Sequence, residues 1–139
     1  MKINILATYV LFLFLFSFCK KEDEHDDDHD HDTATNITLN WAQPAEGSTV
    51  KKGDTLRIEG TATHTSEMHG YEVVISKASD TTVAIHTGDG HVHGTTIVIS
   101  EKWKNDLPDT TKLMVKLTVA KSHSGTDIEV FRRMVWAVK

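Results

Sequence analysis

The sequence has a single cysteine, so no intrachain disulfide can form and the fold must be held by its core. It lacks any apolar run of the roughly 20 residues needed to span a bilayer as a helix. A basic face is missing too. Lysine and arginine number 15 against 20 acids, and past Asp32 the two signs balance at 12 each, which argues against a nucleic-acid partner. No stretch carries a sustained helical period of apolar residues. Catalytic signatures are absent as well: there is no Gly-x-Ser-x-Gly elbow, no phosphate-binding glycine loop and no His-Glu-x-x-His. Ser122 and His123 are adjacent, but adjacency is not a triad. The expectation is a protein that is not an enzyme, with no catalytic residues. What stands out in excess is histidine, with nine residues.

The chain opens with Lys2 and an almost unbroken apolar run from Ile5 to Phe18. At about 14 residues this suits the core of a signal peptide better than a membrane helix. The run closes on Phe16-Ser17-Phe18-Cys19 and turns at once to Lys20-Lys21-Glu22-Asp23. This resembles the lipobox of bacterial lipoproteins, with Phe18 standing where those proteins carry a small residue. The resemblance implies a signal peptide over residues 1–18 and a diacylglycerol on the sulfur of Cys19. The modification supplies several acyl chains, and stable anchoring takes more than one. Lys-Lys followed by acids also resembles the export signal of lipoproteins carried to the surface of certain Gram-negative bacteria. The location this implies is the bacterial outer membrane, facing outward, with a periplasm-facing anchor as the alternative.

Residues 19–35 then form an acidic tether. Between Glu22 and Asp32 the chain holds eight acids, three histidines and no apolar residue. Like charges repel and nothing can be buried, so an extended spacer is expected. Within it His25, His29 and His31 make a weak metal tract, since imidazole nitrogens and carboxylate oxygens both ligate cations. Affinity there is limited by the entropy lost in closing a loose chain around an ion.

From residue 36 to 139 the pattern changes to short β-branched runs separated by turn signals. Strands are expected at Ile37–Trp41, Leu56–Thr63, Tyr71–Ser76, Val83–His86, Thr95–Ser100, Leu113–Ala120 and Ile128–Val138. Leu113, Val115, Leu117 and Val119 give one apolar face, with Lys116 and Thr118 opposite. About seven short strands in about 100 residues predict an all-β antiparallel sandwich. Gln43-Pro44-Ala45-Glu46-Gly47, Lys52-Gly53-Asp54 and Asn105-Asp106-Leu107-Pro108-Asp109-Thr110 resemble the corners of bacterial immunoglobulin-like and fibronectin-like domains. That likeness implies an Ig-like fold and, by itself, no particular function.

In an up-and-down run of antiparallel strands, alternate connections fall at the same end. On this rule His64, His69, His86, His91, His93 and His123 all map to one end of the sandwich, and the opposite loops carry Lys77, Asp80, Lys104 and Asp109. Neutral imidazole is a good ligand for Zn²⁺, Cu²⁺ and Ni²⁺. His91 and His93 are the leading pair, because side chains two apart on an extended segment point to one side. At least one of His64, His69, His86 or His123 would join them, and Glu67 and Asp89 could add carboxylates. Met68 reads as packing, and without a usable thiol a Cu(I) site is disfavoured.

Together these features predict a lipid-anchored envelope protein that captures or buffers a divalent transition metal, zinc first, with copper or nickel as alternatives. An outer-membrane transporter or receptor would be its partner. The competing readings are a metal-free Ig-like module that binds a protein or glycan, and a structural accessory of an outer-membrane complex.

Overall fold

The structure, a computed structural model, describes residues 36–139. The leader, Cys19 and the tract bearing His25, His29 and His31 lie outside the described residues. The described residues form strands and turns only. In chain order the strands are β1 (Thr38–Gln43), β2 (Thr49–Lys51), β3 (Thr55–Met68), β4 (Gly70–Lys77), β5 (Asp80–Gly90), β6 (Gly94–Lys104), β7 (Thr111–Ala120) and β8 (Ile128–Val138). They pair into two sheets, β1-β3-β6 and β2-β8-β7-β4-β5. This is the expected Ig-like sandwich with one strand added. β2 is only three residues long, and pairs parallel with β8 at Thr49↔Trp136 and Lys51↔Val138. A run so short between Gly47 and Gly53 carries no alternation to read.

Period-two alternation explains which side chains meet between the sheets. β7 buries Leu113, Val115, Leu117 and Val119, as its pattern predicts. β3 and β6 contribute Ile58, Ile97 and Ile99 from the other side, each at most 1% exposed. Replacing one such isoleucine by alanine would cost about 2–5 kcal/mol. In β8 the ladder with β7 sets Leu113 opposite Val135, so Val135 and Ala137 face inward and Trp136 faces out at 40% exposure.

Among the strands that outrun their expected ends, β3 and β5 bear on the histidines. β3 continues through the polar stretch His64-Thr65-Ser66-Glu67 to Met68, with an irregularity in its pairing to β6 between Thr63 and Met68. Met68 is fully buried, as its reading as a packing residue requires. β5 continues past His86 through two glycines to Gly90. Glycine weakens a strand interior, yet the ladder to β4 holds across both, pairing Val73 with Gly88 and Tyr71 with Gly90.

Candidate metal centre

Two chain crossings and one hairpin meet at one end of the sandwich. The first is His69, the single residue between β3 and β4 where the chain passes from one sheet to the other. Its backbone N–H donates to the carbonyl of Ala120 at 2.8 Å, which ties the crossing to the end of β7. Gly70 follows at φ 127°, and a side chain there would run into the Gly90 carbonyl. Only glycine permits so close an approach in that backbone conformation. The corner after β3 therefore lies directly against the end of β5.

The second crossing is His91-Val92-His93, which carries the chain back from β5 to β6. Its far end is fixed by pairing of Gly94 with Met68, the residue before His69. The third connection is the β7–β8 hairpin loop, which stays within one sheet. It is closed by the Lys121 N–H donating to the Asp127 carbonyl at 2.8 Å and by a 3.1 Å ion pair between the same two side chains. His123 sits in this loop, beyond the Ala120 that receives His69.

The rings converge accordingly. His69 Nδ1 lies 3.2 Å from His93 Nδ1, and His93 Nε2 lies 3.0 Å from His91 Nε2. The His123 ring centroid is 4.0 Å from that of His69, 4.9 Å from that of His93 and 6.4 Å from that of His91. His69, His93 and His123 can each offer a ligand atom such that all three atoms fall within 4.8 Å of one another. Glu67, at the end of β3, brings Oε1 to 3.3 Å from His93 Nδ1 and 3.9 Å from His69 Nδ1.

The group is open to water, with side-chain exposures of 15% for His69, 38% for His93 and 58% for Glu67. The pKa of His69 is lowered from its ordinary value. The first cause is its partial burial, followed by the neighbouring His123 and His93, while Glu67 pulls the other way. An imidazole kept neutral keeps a lone pair available to a cation.

Two of the six expected histidines stand apart from this three-histidine group. His64 lies within the extended β3, where its Nδ1 accepts from the Ser66 N–H at 3.1 Å. His86 is not at the end of its strand. It pairs with Ile75 inside the β4–β5 ladder, four residues short of Gly90, and its Nε2 is buried without a hydrogen-bond partner. Strand length is the reason in both cases, since each histidine was expected at a strand end that lies further along. Asp89 is exposed within the same ladder, opposite Glu72. Sequence reasoning also missed the layer beside Gly90. Tyr71 donates its hydroxyl to Glu101 Oε1 at 3.0 Å, and its pKa is raised by burial and by that carboxylate. Its ring fills the space beside Gly90, where a Cβ would stand 2.5 Å from Tyr71 Cε1. No pattern in the sequence marks that pair.

No family model matches the chain, and no curated protein matches it. Among solved structures, the ASH / PapD-like domain of human CEP192 (PapD-like domain 7) is similar over 76% of this chain and 86% of its own. The identity is 11% and the TM-score 0.38. The fold class is β-rich and Ig-like on the strands themselves, and nothing about binding passes from so distant a likeness.

Proposed function

We propose that this domain captures or buffers a divalent transition metal, zinc first, at the end of the sandwich where His69, His93 and His123 converge. The observation that supports this is the packing against one another of three imidazoles, two exposed and one half-buried. Rings this open to solvent gain little from such crowding, and ring nitrogens whose lone pairs face one another repel. A shared cation relieves it, because three neutral imidazoles offer the donors that Zn²⁺, Cu²⁺ and Ni²⁺ favour. These donors are all nitrogens, which makes Cu(I) a poor fit.

Calorimetric titration of the full chain with Zn²⁺, Cu²⁺ and Ni²⁺ tests the reading. One tight site that disappears when His69 and His93 are both replaced by alanine supports it. Binding that is weak throughout, or that depends only on His25, His29 and His31, would mean that the loop group is not the site. We place the domain at the bacterial envelope, held by a lipid on Cys19, on the strength of the sequence around that residue. Cys19→Ala should then abolish acyl labelling and release the protein from the membrane fraction.

A further inference from the structure

We infer that Glu67 is the fourth ligand of this site and that His91 is a positioning residue outside it, so that the ion sits in a closed set of three nitrogens and one oxygen. This rests on the metal-binding reading above and assigns the roles within it. Four tetrahedral donors held at about 2.0–2.1 Å from zinc stand roughly 3.3 Å from one another. His69 Nδ1 and His93 Nδ1 are 3.2 Å apart, His93 Nδ1 and Glu67 Oε1 are 3.3 Å apart, and His69 Nδ1 and Glu67 Oε1 are 3.9 Å apart. Three electron-rich atoms thus already stand at the spacing of ligands. A proton shared between two of them leaves the third uncompensated, whereas a cation at the common centre attracts all three. His123 belongs to the group of three whose donors all fall within 4.8 Å of one another, its ring centroid 4.0 Å from that of His69 and 4.9 Å from that of His93, and Glu67 joins the set through its approach to His93 and His69.

His91 has a different relation to the centre. It meets His93 through Nε2, on the far side of the ring from Nδ1, at 3.0 Å. The two nitrogens of one imidazole diverge, so they cannot ligate the same ion. If Nδ1 faces the ion bare, Nε2 carries the proton and donates it to His91. That bond fixes the tautomer and the ring orientation, which is the usual part played by the partner of a ligating histidine. The ring of His91 is also the furthest from His123, at 6.4 Å. The expected pairing of His91 with His93 as joint ligands assumed a straight extended segment. Residues 91–93 lie outside any strand, where the chain crosses between sheets.

A filled fourth position leaves no place for an activated water, which suits holding and release of the ion rather than hydrolysis. The test is the full chain loaded with one equivalent of Co²⁺, whose four-coordinate complexes absorb far more strongly in the visible than six-coordinate ones. The parent should show the strong spectrum and not respond to added azide. Glu67→Gln should bind more than about 100-fold more weakly, beyond the loss typical of an outer partner, and its spectrum should respond to azide as a position opens. His91→Ala should weaken binding by about 10–100-fold with the spectrum kept in shape. His91→Gln, whose carbonyl can accept the same hydrogen bond, should restore most of that loss. Both residues are exposed, so folding is not at stake. Parent-like affinity and spectrum in Glu67→Gln, or a spectrum in His91→Ala altered as in His93→Ala, would overturn the inference and leave the metal site standing. A parent with no tight site would overturn both.

Discussion

The two ends of the sandwich use polar side chains in opposite ways. At the end away from the histidines, Asn105 is 1% exposed and its side chain is satisfied entirely by backbone. Its Nδ2 donates to the carbonyls of Val50 at 3.0 Å and Val138 at 3.3 Å, and its Oδ1 accepts from the Leu107 N–H at 3.2 Å. Its own backbone exchanges hydrogen bonds with Gly53 and Asp54. One residue thus ties together the loop before β3, the short β2, the end of β8 and the loop before β7. At the other end the imidazoles of His69, His91, His93 and His123 meet chiefly one another, in water. Polar groups matched to backbone hold a fold together. Polar side chains gathered near the surface and turned chiefly toward one another are available to something else.

The contrast can be broken from either side. The largest effect is expected from replacing His69 and His93 together by alanine. Zinc affinity should fall by more than about 100-fold, because ligands themselves are removed and not merely their outer partners. The melting temperature of the metal-free protein should hardly move, since neither side chain belongs to the core. A large loss of stability with intact binding would reverse the assignment of the two ends.

Asn105→Ala should do the converse. It leaves buried carbonyls and an N–H without partners, at a cost of about 3 kcal/mol, or on the order of 15 °C in melting temperature for a domain of this size. Titration below the new melting point should show the metal site unchanged.

A smaller effect is expected from pH. The folded pKa of His69 lies below its ordinary value, so the unfolded chain takes up the proton first. The stability linked to that residue is whole above the free-histidine value of about 6.5 and is lost as pH falls through the lowered folded value. In chelator, the urea midpoint of the full chain should therefore be lower near pH 5.5 than near pH 7.5. His69→Gln should narrow the difference, and an unchanged difference would count against His69 as its source. Smallest of all is the effect of changing Lys104 and Asp109, both exposed at the Asn105 end. Neither affinity nor melting temperature should respond beyond about 0.5 kcal/mol.

The sequence by itself determined the all-β class, the strands around Leu56, Val73, Ile97 and Leu117, and the gathering of histidines toward one end. These follow from local rules. Alternation marks a half-buried strand, and alternate connections of antiparallel strands return to the same end. The three-residue β2 escaped because its evidence is a ladder with β8, some 85 residues away in the chain. Which histidines meet was a matter for the tertiary structure. His86 and His64 fall inside strands whose length depends on pairing across glycines and polar residues, and pairing is not local. His69, His93 and His123 come together because the His69 N–H binds the Ala120 carbonyl, Gly94 pairs with Met68 and Gly70 lets one corner press against Gly90. A metal site needs donors placed to a few tenths of an ångström, and only packed connections at the end of the sandwich set distances that finely.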